Sequence, residues 1–478
     1  MRRLGHLDRR LLRRSTRRSL RTGGALLFLG RAADNAKVWL ALAGALAASG
    51  GRFRRRAALR GLFAVAIASA LTNGPVKLAF RRRRPVAGRL TSGLAGFAQS
   101  GTSSFPSGHS ASAFAFAVGA GQEVPRLAPP LAGLAGLVAY SRVHARAHYP
   151  SDVAVGALVG TAAGLVTRRL WPVAPHEPAD VRTALNRAEV EPSPKGGGLV
   201  VVVNPSAGSS GRAAEELRAE LPEAEVVELD DGGELERALA GAADRGCAIG
   251  VAGGDGSVNT AAALAAKTGK PLFVVPGGTL NHFAYALGLE SIADAARAVR
   301  EGRAVAVDRG VVDGHSFVNT ASIGSYVDLV DARERLEDTI GKWPAVVLAL
   351  FRVLRRAGPI EMEIDGRRRK VWMMFIGNCA YDPPGFAPSW RSRLDDGQLD
   401  VRIVDGTQPW SRVRLLLSVM TGRLARCGAY EQRYVPSLHV KSLAGHLRLA
   451  RDGETFDGPE EFTITKADEP LLVYAPES

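Results

Sequence analysis

The sequence predicts a multi-domain protein in which an all-α, membrane-embedded region is followed by an α/β region and then by a mostly β region. Five apolar runs alternate with basic segments, at about 36–50, 57–75, 109–121, 129–140 and 153–167. Each run is short against the ~20 residues that span a bilayer, but five in succession favour a membrane region. Strand and helix patterns then alternate from residue 198, and β-type segments dominate from residue 305.

Composition sets the boundaries between the predicted segments. The predicted order is an Arg-rich head at 1–22, a helical membrane-embedded domain at 23–171, a linker at 172–197, an α/β subdomain at 198–304 and a β-rich subdomain at 305–478. The head has the composition of an amphipathic helix lying along a membrane surface. The linker is rich in Pro, Glu and Gly. A helical insertion is expected near 329–357 within the β-rich subdomain.

Charge divides the chain at the same place. Residues 1–172 contain 27 of the 62 Lys and Arg and four acids, so their net charge is 27 − 4 = +23. The remainder contains 35 against 43, a net of −8, and the two sum to +15. Basic segments between apolar runs, with few aromatic residues, favour an anionic membrane surface over nucleic acid as the partner. A soluble, alanine-rich helical bundle is the alternative.

Two further signals concern the cellular compartment. No cleavable signal peptide is expected, because residues 1–21 contain nine Arg and no apolar core of sufficient length. Cys247, Cys379 and Cys427 are odd in number and lack metal-ligand spacing, which is typical of a reducing cytosol.

Three short motifs in the helical region combine groups suited to breaking a phosphate ester without a metal. Lys77 and Arg84 end an apolar run, Ser107 and Gly108 precede another, and Arg142 opens the third motif. Phosphate carries two negative charges, so it needs several cations and backbone donors. Fixed cations and helix N-terminal amides would therefore bind it.

Two histidines supply the reaction chemistry in this interpretation. His148 has an acid four residues later, Asp152, which suits a nucleophile with one ring nitrogen oriented and the other exposed. His109 would protonate the leaving alkoxide and then activate the water that hydrolyses the phosphohistidine.

The motifs KLAFRRRRP, FPSGH and SRVHARAHYPSD resemble the signatures of the type 2 phosphatidic acid phosphatases, whose superfamily shares an all-helical core with vanadium haloperoxidases. The resemblance covers about residues 30–170. It implies that His148 is the nucleophile, His109 the acid/base and Asp152 the orienting acid. The implied phosphate clamp is Lys77, Arg84, Ser107, Gly108 and Arg142.

Some neighbouring basic residues receive other roles. His144 fits no position in the pattern and is interpreted as a bystander. Arg81, Arg82 and Arg83 are interpreted as lipid-headgroup or interfacial charges.

Gly-rich turns follow three predicted strands of the α/β region. They are NPSAG at 204–208, GGDGS at 253–257 with Asn259 following, and PGGTLN at 276–281. Because the carboxyl ends of parallel strands meet at one edge of a sheet, the turns should converge on one crevice. Glycine lets backbone amides approach phosphate oxygens, and Ser257, Thr279 and Asn281 add polar contacts. Neither a Walker lysine motif nor G-x-G-x-x-G is present.

These turns resemble the diacylglycerol kinase catalytic family, which includes bacterial lipid kinases and sphingosine kinases, over about 197–475. The resemblance implies ATP and Mg²⁺ as cofactors. The implied ATP contacts are Asn204, Pro205, Ser206, Gly208, Gly253, Gly254, Asp255, Gly256, Ser257, Asn259, Thr279 and Asn281. The DGE segment places the general base at Asp452 and a Mg²⁺ ligand at Glu454. Asp396 and Asp400 either hold a structural Mg²⁺ or belong to a plain surface turn.

Two positions depart from the kinase pattern. Thr260 and His282 stand where many relatives have an acid, which leaves substrate choice open. The GGDG element also occurs in NAD kinases, but the β-rich C-terminal subdomain and GTLNHFA favour a lipid acceptor.

We therefore expect a bifunctional membrane enzyme. One half would be a metal-independent phosphatase for a lipid phosphate or prenyl diphosphate. The other would be an ATP- and Mg²⁺-dependent lipid kinase, converting diacylglycerol to phosphatidate. The expected partners are membrane lipids and not nucleic acid. The alternatives are that only one half is active, the other being an anchor or regulatory domain, or that the chain is a non-catalytic lipid-binding scaffold.

Orientation in the cell membrane gives conflicting signals. ATP places the kinase half in the cytoplasm, so five spans put the phosphatase motifs on the opposite face. The positive-inside rule predicts the reverse, because the motif face has 19 Lys and Arg against eight on the other. A hairpin at 24–50, turning near Asp34, would return the Arg-rich head to the cytoplasmic face.

Overall fold

The chain forms two compact units, residues 1–174 and 175–478. The structure is a computed structural model, and it describes residues 8–12, 23–80, 82–85, 103–181, 187–204, 210–230, 234–278, 281–325, 327, 358–383, 390–407, 410–421 and 424–476. The helical insertion predicted near 329–357 lies outside the described residues.

The described part of the first unit is helical. Residues 8–12 form a short helix. The longer helices are α1 Gly23–Ala32, α2 Lys37–Ala48, α3 Arg52–Leu71, α4 Gly108–Glu123, α5 Ala128–His144 and α6 Pro150–Leu170. The five predicted apolar runs fall on α2 to α6, so their helical character is confirmed.

Two helical segments in the described part of the chain are long and apolar enough to cross a membrane. They are Arg52–Val76 and Pro150–Leu170, and the apolar helix Lys37–Ala48 is shorter. α4 and α5 have 16 and 17 residues, below the ~20 that span a bilayer. The structure therefore supports two of the five predicted spans by length and composition.

Helices α4 and α6 pack with almost no space between their backbones. Gly156, Gly160 and Gly164 recur every fourth residue, so they share one face of α6. A Cβ at Gly160 would lie 2.1 Å from the carbonyl oxygen of Ala111, and one at Gly156 would lie 2.4 Å from that of Ser107. Small residues at this spacing are the usual means of close helix packing in membranes. The contact places the N-terminus of α6 beside that of α4.

The opposite end of this bundle is closed by a buried ion pair. Glu123, at the end of α4, lies 2.6 Å from the guanidinium of Arg60 and 3.0 Å from that of Arg56. Both arginines also donate to the carbonyl oxygen of Pro172. Arg60 and Glu123 are fully buried, and these hydrogen bonds satisfy charges that would otherwise be costly in an apolar interior.

The second unit begins with a mixed sheet. Its strands are β1 Arg187–Glu189, β2 Leu199–Val203, β3 Glu225–Glu228, β4 Ala248–Gly253, β5 Leu272–Pro276, β6 Arg303–Val307 and β20 Leu471–Tyr474. Their order across the sheet is β1-β6-β20-β5-β4-β2-β3 among the described residues. β3, β2, β4 and β5 are parallel. The predicted parallel α/β core is confirmed.

Two predicted boundaries are wrong because edge strands come from outside the expected range. β1 lies in the segment predicted as a linker and pairs antiparallel with β6. β20 lies in the segment assigned to the β-rich subdomain, yet it pairs with β5 and β6. Both strands cover main-chain groups of β6 that would otherwise form an open sheet edge, and short edge strands leave only a weak sequence pattern.

Helices surround this sheet. They are α7 Ser210–Glu220, α8 Leu235–Arg245, α9 Asp255–Thr268, α10 His282–Ala286 and α11 Ile292–Glu301. β2 and β4 are buried along their whole length, as expected for strands covered on both faces.

The β-rich part forms a second, antiparallel sheet. The strands are β7 Gly310–Val312, β8 His315–Phe317, β9 Thr320–Gly324, β10 Ile360–Ile364, β11 Arg367–Asn378, β12 Tyr381–Asp382, β13 Trp390–Arg391, β14 Leu399–Asp405, β15 Tyr430–Val435, β16 Ser437–Ser442, β17 Leu447–Arg451, β18 Glu454–Gly458 and β19 Glu461–Lys466. β12 and β13 pair separately from this sheet. One helix, α12 Ser411–Thr421, is described between β14 and β15.

We predict that Gly160→Ala destabilises the first unit. The added methyl would meet the Ala111 carbonyl oxygen at 2.1 Å, so the helices must separate, at a cost of about 3 kcal/mol. Gly136→Ala on α5 is the matched control, because nothing lies within 4 Å of its Cβ position. Thermal unfolding in detergent compares the two variants. Equal midpoints would contradict the importance of this contact.

Candidate functional sites

The first candidate site lies where α4 and α6 begin. Ser107 is buried and caps α4, its Oγ accepting from the backbone amide of Ser110 at 3.4 Å. Its own backbone amide donates to the carbonyl oxygen of Asp152 at 2.9 Å. The PSGH and HYPSD motifs, 40 residues apart in sequence, therefore meet at the two adjoining helix N-termini.

His148 is held in one tautomer. Its Nδ1 lies 2.6 Å from the carbonyl oxygen of Ser104, and a carbonyl can only accept, so Nδ1 carries the proton and Nε2 keeps its lone pair. Asp152 Oδ2 lies 3.9 Å from Nδ1, so Ser104 makes the direct orienting contact that we predicted for Asp152. Burial first, and the charge of Arg84 second, lower the pKa of His148 to about 3. The imidazole is therefore neutral at physiological pH.

Asp152 is engaged by Arg82, a residue that the sequence interpretation placed at the lipid interface. Arg82 Nη1 lies 2.6 Å from Asp152 Oδ1, and Asp152 Oδ2 accepts from the backbone amide of Tyr149 at 2.9 Å. The interfacial role is therefore wrong for Arg82, because its guanidinium is committed to the carboxylate beside His148. Periodicity and charge alone do not distinguish three consecutive arginines, so the sequence missed this contact.

His109 pairs with an acid that sequence reasoning missed. Asp34 lies in the turn between α1 and α2, and its Oδ1 lies 2.8 Å from His109 Nε2 and 3.5 Å from Arg142 Nη1. Arg142 is buried and also donates to the carbonyl oxygen of Gly30. An acid is rare in this basic region, and that rarity was the available signal for Asp34.

The remaining clamp residues lie at the same end of the bundle. Lys77 Nζ donates to Asn73 Oδ1 at 2.8 Å, and Arg84 Nη1 donates to the carbonyl oxygen of Ala147 at 3.4 Å. A Cβ at Gly108 would lie 4.0 Å from the same Asn73 oxygen, so Lys77 and the α4 N-terminus are neighbours. His144 lies beside Tyr140, with ring centroids 6.1 Å apart, and its bystander role stays a prediction.

The hairpin predicted for residues 24–50 requires a turn near Asp34 on the side of the motifs. That turn is present between α1 and α2, at the histidine end, where Asp34 meets His109. Asp8 of the head also lies at this end, 2.7 Å from Arg82 Nη2 and 3.0 Å from the backbone amide of Ser151. Asp8 and the turn therefore lie at the end that carries the motifs, whereas the hairpin would have placed the head at the other end.

The second candidate site lies where the Gly-rich turns meet, as predicted. Asn204, after β2, donates to Ser257 Oγ at 2.9 Å. The backbone amide of Gly277 donates to the carbonyl oxygen of Gly253 at 3.1 Å, and a Cβ at Gly278 would lie 2.5 Å from the Cα of Gly254. Pro205, Ser206, Gly208 and Thr279 lie outside the described residues.

Several side chains predicted to contact ATP instead build the turns. Asn281 has a φ of +50°, and its side chain accepts from the Gly278 amide and donates to the Gly278 carbonyl, both at 2.8 Å. Asn259 is buried. In the amide orientation that satisfies both its oxygen and its nitrogen, it donates to Ser316 O and Asp452 Oδ2. Asn281 therefore fixes its own turn, and Asn259 joins α9 to Ser316 and Asp452, while α9 begins at Asp255 with no side-chain cap on its first amides.

Asp452 is a buried carboxylate enclosed by donors. It accepts from the backbone amides of Val318, Asn319 and Thr320 at 2.7 to 2.9 Å. Burial raises the pKa of Asp452 to about 6, although those amides act in the opposite direction. With Asn259, its four lone-pair positions are occupied. The predicted base is therefore placed at the site as a structural anchor.

Glu454 is the exposed acid of the same motif. A Cβ at Gly256 would lie 3.2 Å from Glu454 Oε1, so this carboxylate faces the first turn of α9. Asp255, at the start of α9, accepts from the backbone amide of Phe283 at 3.3 Å and from Asn319 Nδ2 at 3.4 Å. Two carboxylates and an uncapped helix N-terminus thus lie together.

The predicted Asp396 and Asp400 pair does not form a metal site. Asp400 is fully buried and accepts from the guanidinium of Arg402 at 2.6 Å. Asp396 instead groups with Asp308 and Cys379 within 4.8 Å. Lys466 Nζ lies 3.2 Å from Asp308 and 3.3 Å from Cys379, so a cation already serves this cluster.

Arg391 is a further residue that the sequence did not indicate. It is buried and donates to Val318 O at 2.6 Å and to Asn319 Oδ1 at 3.0 Å. Its guanidinium lies 5.3 Å from the Tyr381 ring centroid. It thereby supports the backbone whose amides hold Asp452.

Comparison with known proteins matches this division. The family model of the PAP2 superfamily matches residues 57–174, and that of the diacylglycerol kinase catalytic domain matches residues 198–312. A "Diacylglycerol kinase" of Bacillus subtilis is 34% identical over 182 residues, which cover 36% of this chain and 59% of that relative, less than two thirds of its length. A "Probable lipid kinase YegS-like" of Pseudomonas syringae is 31% identical over 244 residues, covering 47% of this chain and 77% of the relative.

A crystal structure described as a putative diacylglycerol kinase from Bacillus anthracis is 22% identical, with a TM-score of 0.46, covering 59% of this chain and 98% of that chain. The sequence matches decide the family. The chain carries a PAP2 superfamily domain in its N-terminal unit and belongs, through its C-terminal unit, to the diacylglycerol kinase catalytic family.

Proposed function

We propose that the chain is a bifunctional membrane lipid enzyme. The N-terminal unit would hydrolyse a lipid phosphate or prenyl diphosphate, and the C-terminal unit would phosphorylate a lipid hydroxyl, diacylglycerol before others, from ATP. The observation that carries the first activity is His148 Nδ1 bonded to a carbonyl, which leaves Nε2 as a nucleophile. The second is carried by the Gly-rich turns meeting at the uncapped start of α9.

The proposed phosphatase reaction depends on the protonation states of the two histidines, His148 and His109. The lone pair on His148 Nε2 attacks phosphorus, and the bond between phosphorus and the lipid oxygen breaks. His109 gives its proton to that oxygen, and the lipid alcohol leaves. Water then attacks the phosphohistidine, His109 takes a proton from it, and the P–N bond breaks to release phosphate. Lys77, Arg84 and Arg142 would bind the phosphate oxygens throughout.

Asp34 would prepare His109 for the first of these proton transfers. Burial first, and the charge of Arg142 second, lower the pKa of His109 to about 4, while the Asp34 carboxylate 2.8 Å from Nε2 acts in the opposite direction. The negative charge of a bound phosphate would add to that of Asp34 and favour the imidazolium form that a general acid requires. Asp34 is about half-exposed, so it can withdraw when the phosphate enters. Each histidine would then have one acid near it, Asp152 for the nucleophile and Asp34 for the acid.

The kinase site fits ATP by its backbone. The crowded glycines bring main-chain amides close to one another at the N-terminus of α9, where phosphate groups bind readily. Mg²⁺, when bound, would neutralise charge on the transferring phosphoryl group. Glu454 and Asp255 are the carboxylates that would hold it.

The geometry refines the assignment of the general base for the lipid hydroxyl. Asp452 is saturated with donors, so we assign it to holding the 318–320 backbone against the cleft. Glu454 is exposed beside α9 and would accept the hydroxyl proton or hold the metal. Its loss should therefore affect transfer without the burial penalty that loss of Asp452 carries.

We also propose that the two sites act on opposite membrane faces. His148 lies just before α6, and in the sequence the residues of the second unit follow the end of α6. If α6 crosses the bilayer, the two sites are separated by it. ATP then places the kinase in the cytoplasm and the phosphatase site outside, where a lipid phosphate or prenyl diphosphate would be its substrate.

Asp34→Asn should lower phosphatase kcat by about tenfold for a lipid phosphate, because proton donation to an alkoxide contributes strongly. With p-nitrophenyl phosphate, whose leaving group needs no proton, the loss should be below about threefold. The alkaline limb of the pH profile should move to lower pH, because His109 loses its proton more readily without Asp34. A lower KM with a higher kcat would instead show that Asp34 blocks the phosphate position.

The proposed pair of activities is tested by separating them. His148→Ala should lower lipid phosphate hydrolysis by roughly a thousandfold or more and leave kinase activity unchanged. Glu454→Gln should lower lipid phosphorylation by about a hundredfold and leave hydrolysis unchanged. Labelled ATP with diacylglycerol, a sphingoid base and a polyprenol measures the kinase, and labelled phosphatidate or prenyl diphosphate measures the phosphatase.

Each variant has a matched control close to it in the chain. His144→Ala changes the histidine at the end of α5, four residues before His148, and Asp457→Asn lies on the same strand as Glu454. Both controls should retain both activities. Loss of both activities in either test variant, or no activity in the wild type on any lipid, would contradict the bifunctional enzyme.

A further inference from the structure

The Arg-rich head reaches the first candidate site through its one acid. Asp8 is the only acidic residue among residues 1–22, which contain nine Arg. Residues 8–12 are helical, and Asp8 is 4% exposed while Arg9 and Arg10 are exposed. A carboxylate buried within so basic a segment needs specific partners.

The first partner is the first turn of α6. Asp8 Oδ1 accepts from the backbone amide of Ser151 at 3.0 Å, and Asp8 Oδ2 accepts from Ser151 Oγ at 2.7 Å. Ser151 is the second residue of α6, so its amide is one that the helix itself cannot satisfy. A carboxylate here also interacts favourably with the helix dipole. The residue that follows Ser151 is Asp152, the acid beside His148.

The second partner is Arg82, which joins Asp8 to Asp152. Its Nη2 lies 2.7 Å from Asp8 Oδ2, and its Nη1 lies 2.6 Å from Asp152 Oδ1 and 2.7 Å from Ser151 Oγ. The guanidinium also stacks 4.2 Å from the Tyr149 ring centroid. Because the guanidinium is planar and rigid, the position of one carboxylate constrains the other.

Charge supports the same arrangement. Burial acts against ionisation of Asp8, but hydrogen bonds from Arg82 and Ser151 outweigh it, so the pKa of Asp8 lies below its ordinary value. Asp8 is therefore negative at neutral pH. Asp8 and Asp152 both pair with the positively charged Arg82. Without Asp8, Arg82 would pair with Asp152 alone.

We propose that Asp8 is a positioning residue of the phosphatase, and that residues 8–12 of the N-terminal head support its active site. By holding Arg82 and the first turn of α6, Asp8 keeps Asp152 aligned with His148. The full negative charge of Asp152 then stabilises the positive charge that develops on the imidazole during phosphorylation. This inference rests on the proposed phosphatase function, and Asp8 touches neither the substrate nor His148.

The first test is kinetic and uses the full chain in detergent or vesicles. Asp8→Asn should lower phosphatase kcat about fivefold, the effect of about one typical hydrogen bond. KM should stay within about twofold, because the phosphate clamp is unchanged. Asp8→Glu should recover part of kcat, and Arg10→Gln, at an exposed position of the same segment, should match the wild type.

The second test asks whether Asp8 acts through Arg82. In an Arg82→Gln background, Asp8→Asn should lower kcat by less than about twofold, because coupled residues are not additive. A fivefold loss that persists in this background would overturn the proposal. So would an unchanged kcat for Asp8→Asn alone. An increased kcat would make the contact inhibitory, and would overturn it as well.

A third measurement does not depend on activity. Asp8→Cys combined with Ser151→Cys should form a disulfide on mild oxidation, identified as the linked peptide by mass spectrometry. Absence of this peptide in folded protein would overturn the docking of the head on α6. If the wild type hydrolyses lipid phosphate no faster than His148→Ala, the proposed phosphatase function itself is contradicted. That outcome is distinguishable from failure of the Asp8 proposal, because the wild type is then inactive.

Discussion

The contact between α4 and α6 is the constraint on which the first site depends. Gly156 and Gly160 allow backbone to meet backbone, with carbonyl oxygens of α4 occupying the space that side chains would need. That approach brings the α6 N-terminus against the cap of α4, where the Ser107 amide donates to Asp152 O. His109, in the first turn of α4, and His148, just before α6, consequently lie at the same end of the bundle. The precision of the chemistry therefore rests on residues that have no side chain.

The few acidic residues of the first unit lie at specific positions. Residues 1–172 contain four acids. Asp8, Asp34 and Asp152 lie at the histidine end, each within hydrogen-bond distance of a basic group, and Glu123 pairs with Arg60 at the other end. A strongly basic, apolar bundle places a carboxylate only where a cation must be held in position. This distribution explains why the arginines predicted to be interfacial include Arg82, which holds Asp152.

In the C-terminal unit, by contrast, the proposed substrate contacts come from backbone groups rather than from side chains. Glycines allow the close approach of the turns, Asn281 fixes one of them, and Asn259 bonds to Ser316 and Asp452. Asp452 holds the 318–320 backbone, and Arg391 supports that backbone from its other side. The polar residues of the motif thus shape the cleft, and Glu454 is the one that faces it.

The sequence predicted the helices, the parallel core and the convergence of the motifs, because apolar periodicity and glycine-rich turns are local signals. It did not reach Asp34, Arg82 or Arg391, whose partners lie far away in sequence. Asp400 shows the same limit, since its pairing with Arg402 depends on burial that a short acidic cluster does not reveal. β20 pairs with β6 in the first sheet and covers main-chain groups that would otherwise form an open edge. No local sequence pattern indicates this pairing.

The most direct test of the account is the identity of the covalent intermediate. The protein would be mixed with ³²P-labelled lipid phosphate in the presence of a chelator, quenched within milliseconds and digested for mass spectrometry. The account predicts acid-labile, alkali-stable label on the peptide that contains His148, retained in His144→Ala and absent from His148→Ala. Label on another residue, or hydrolysis that stops when metal is removed, would contradict it.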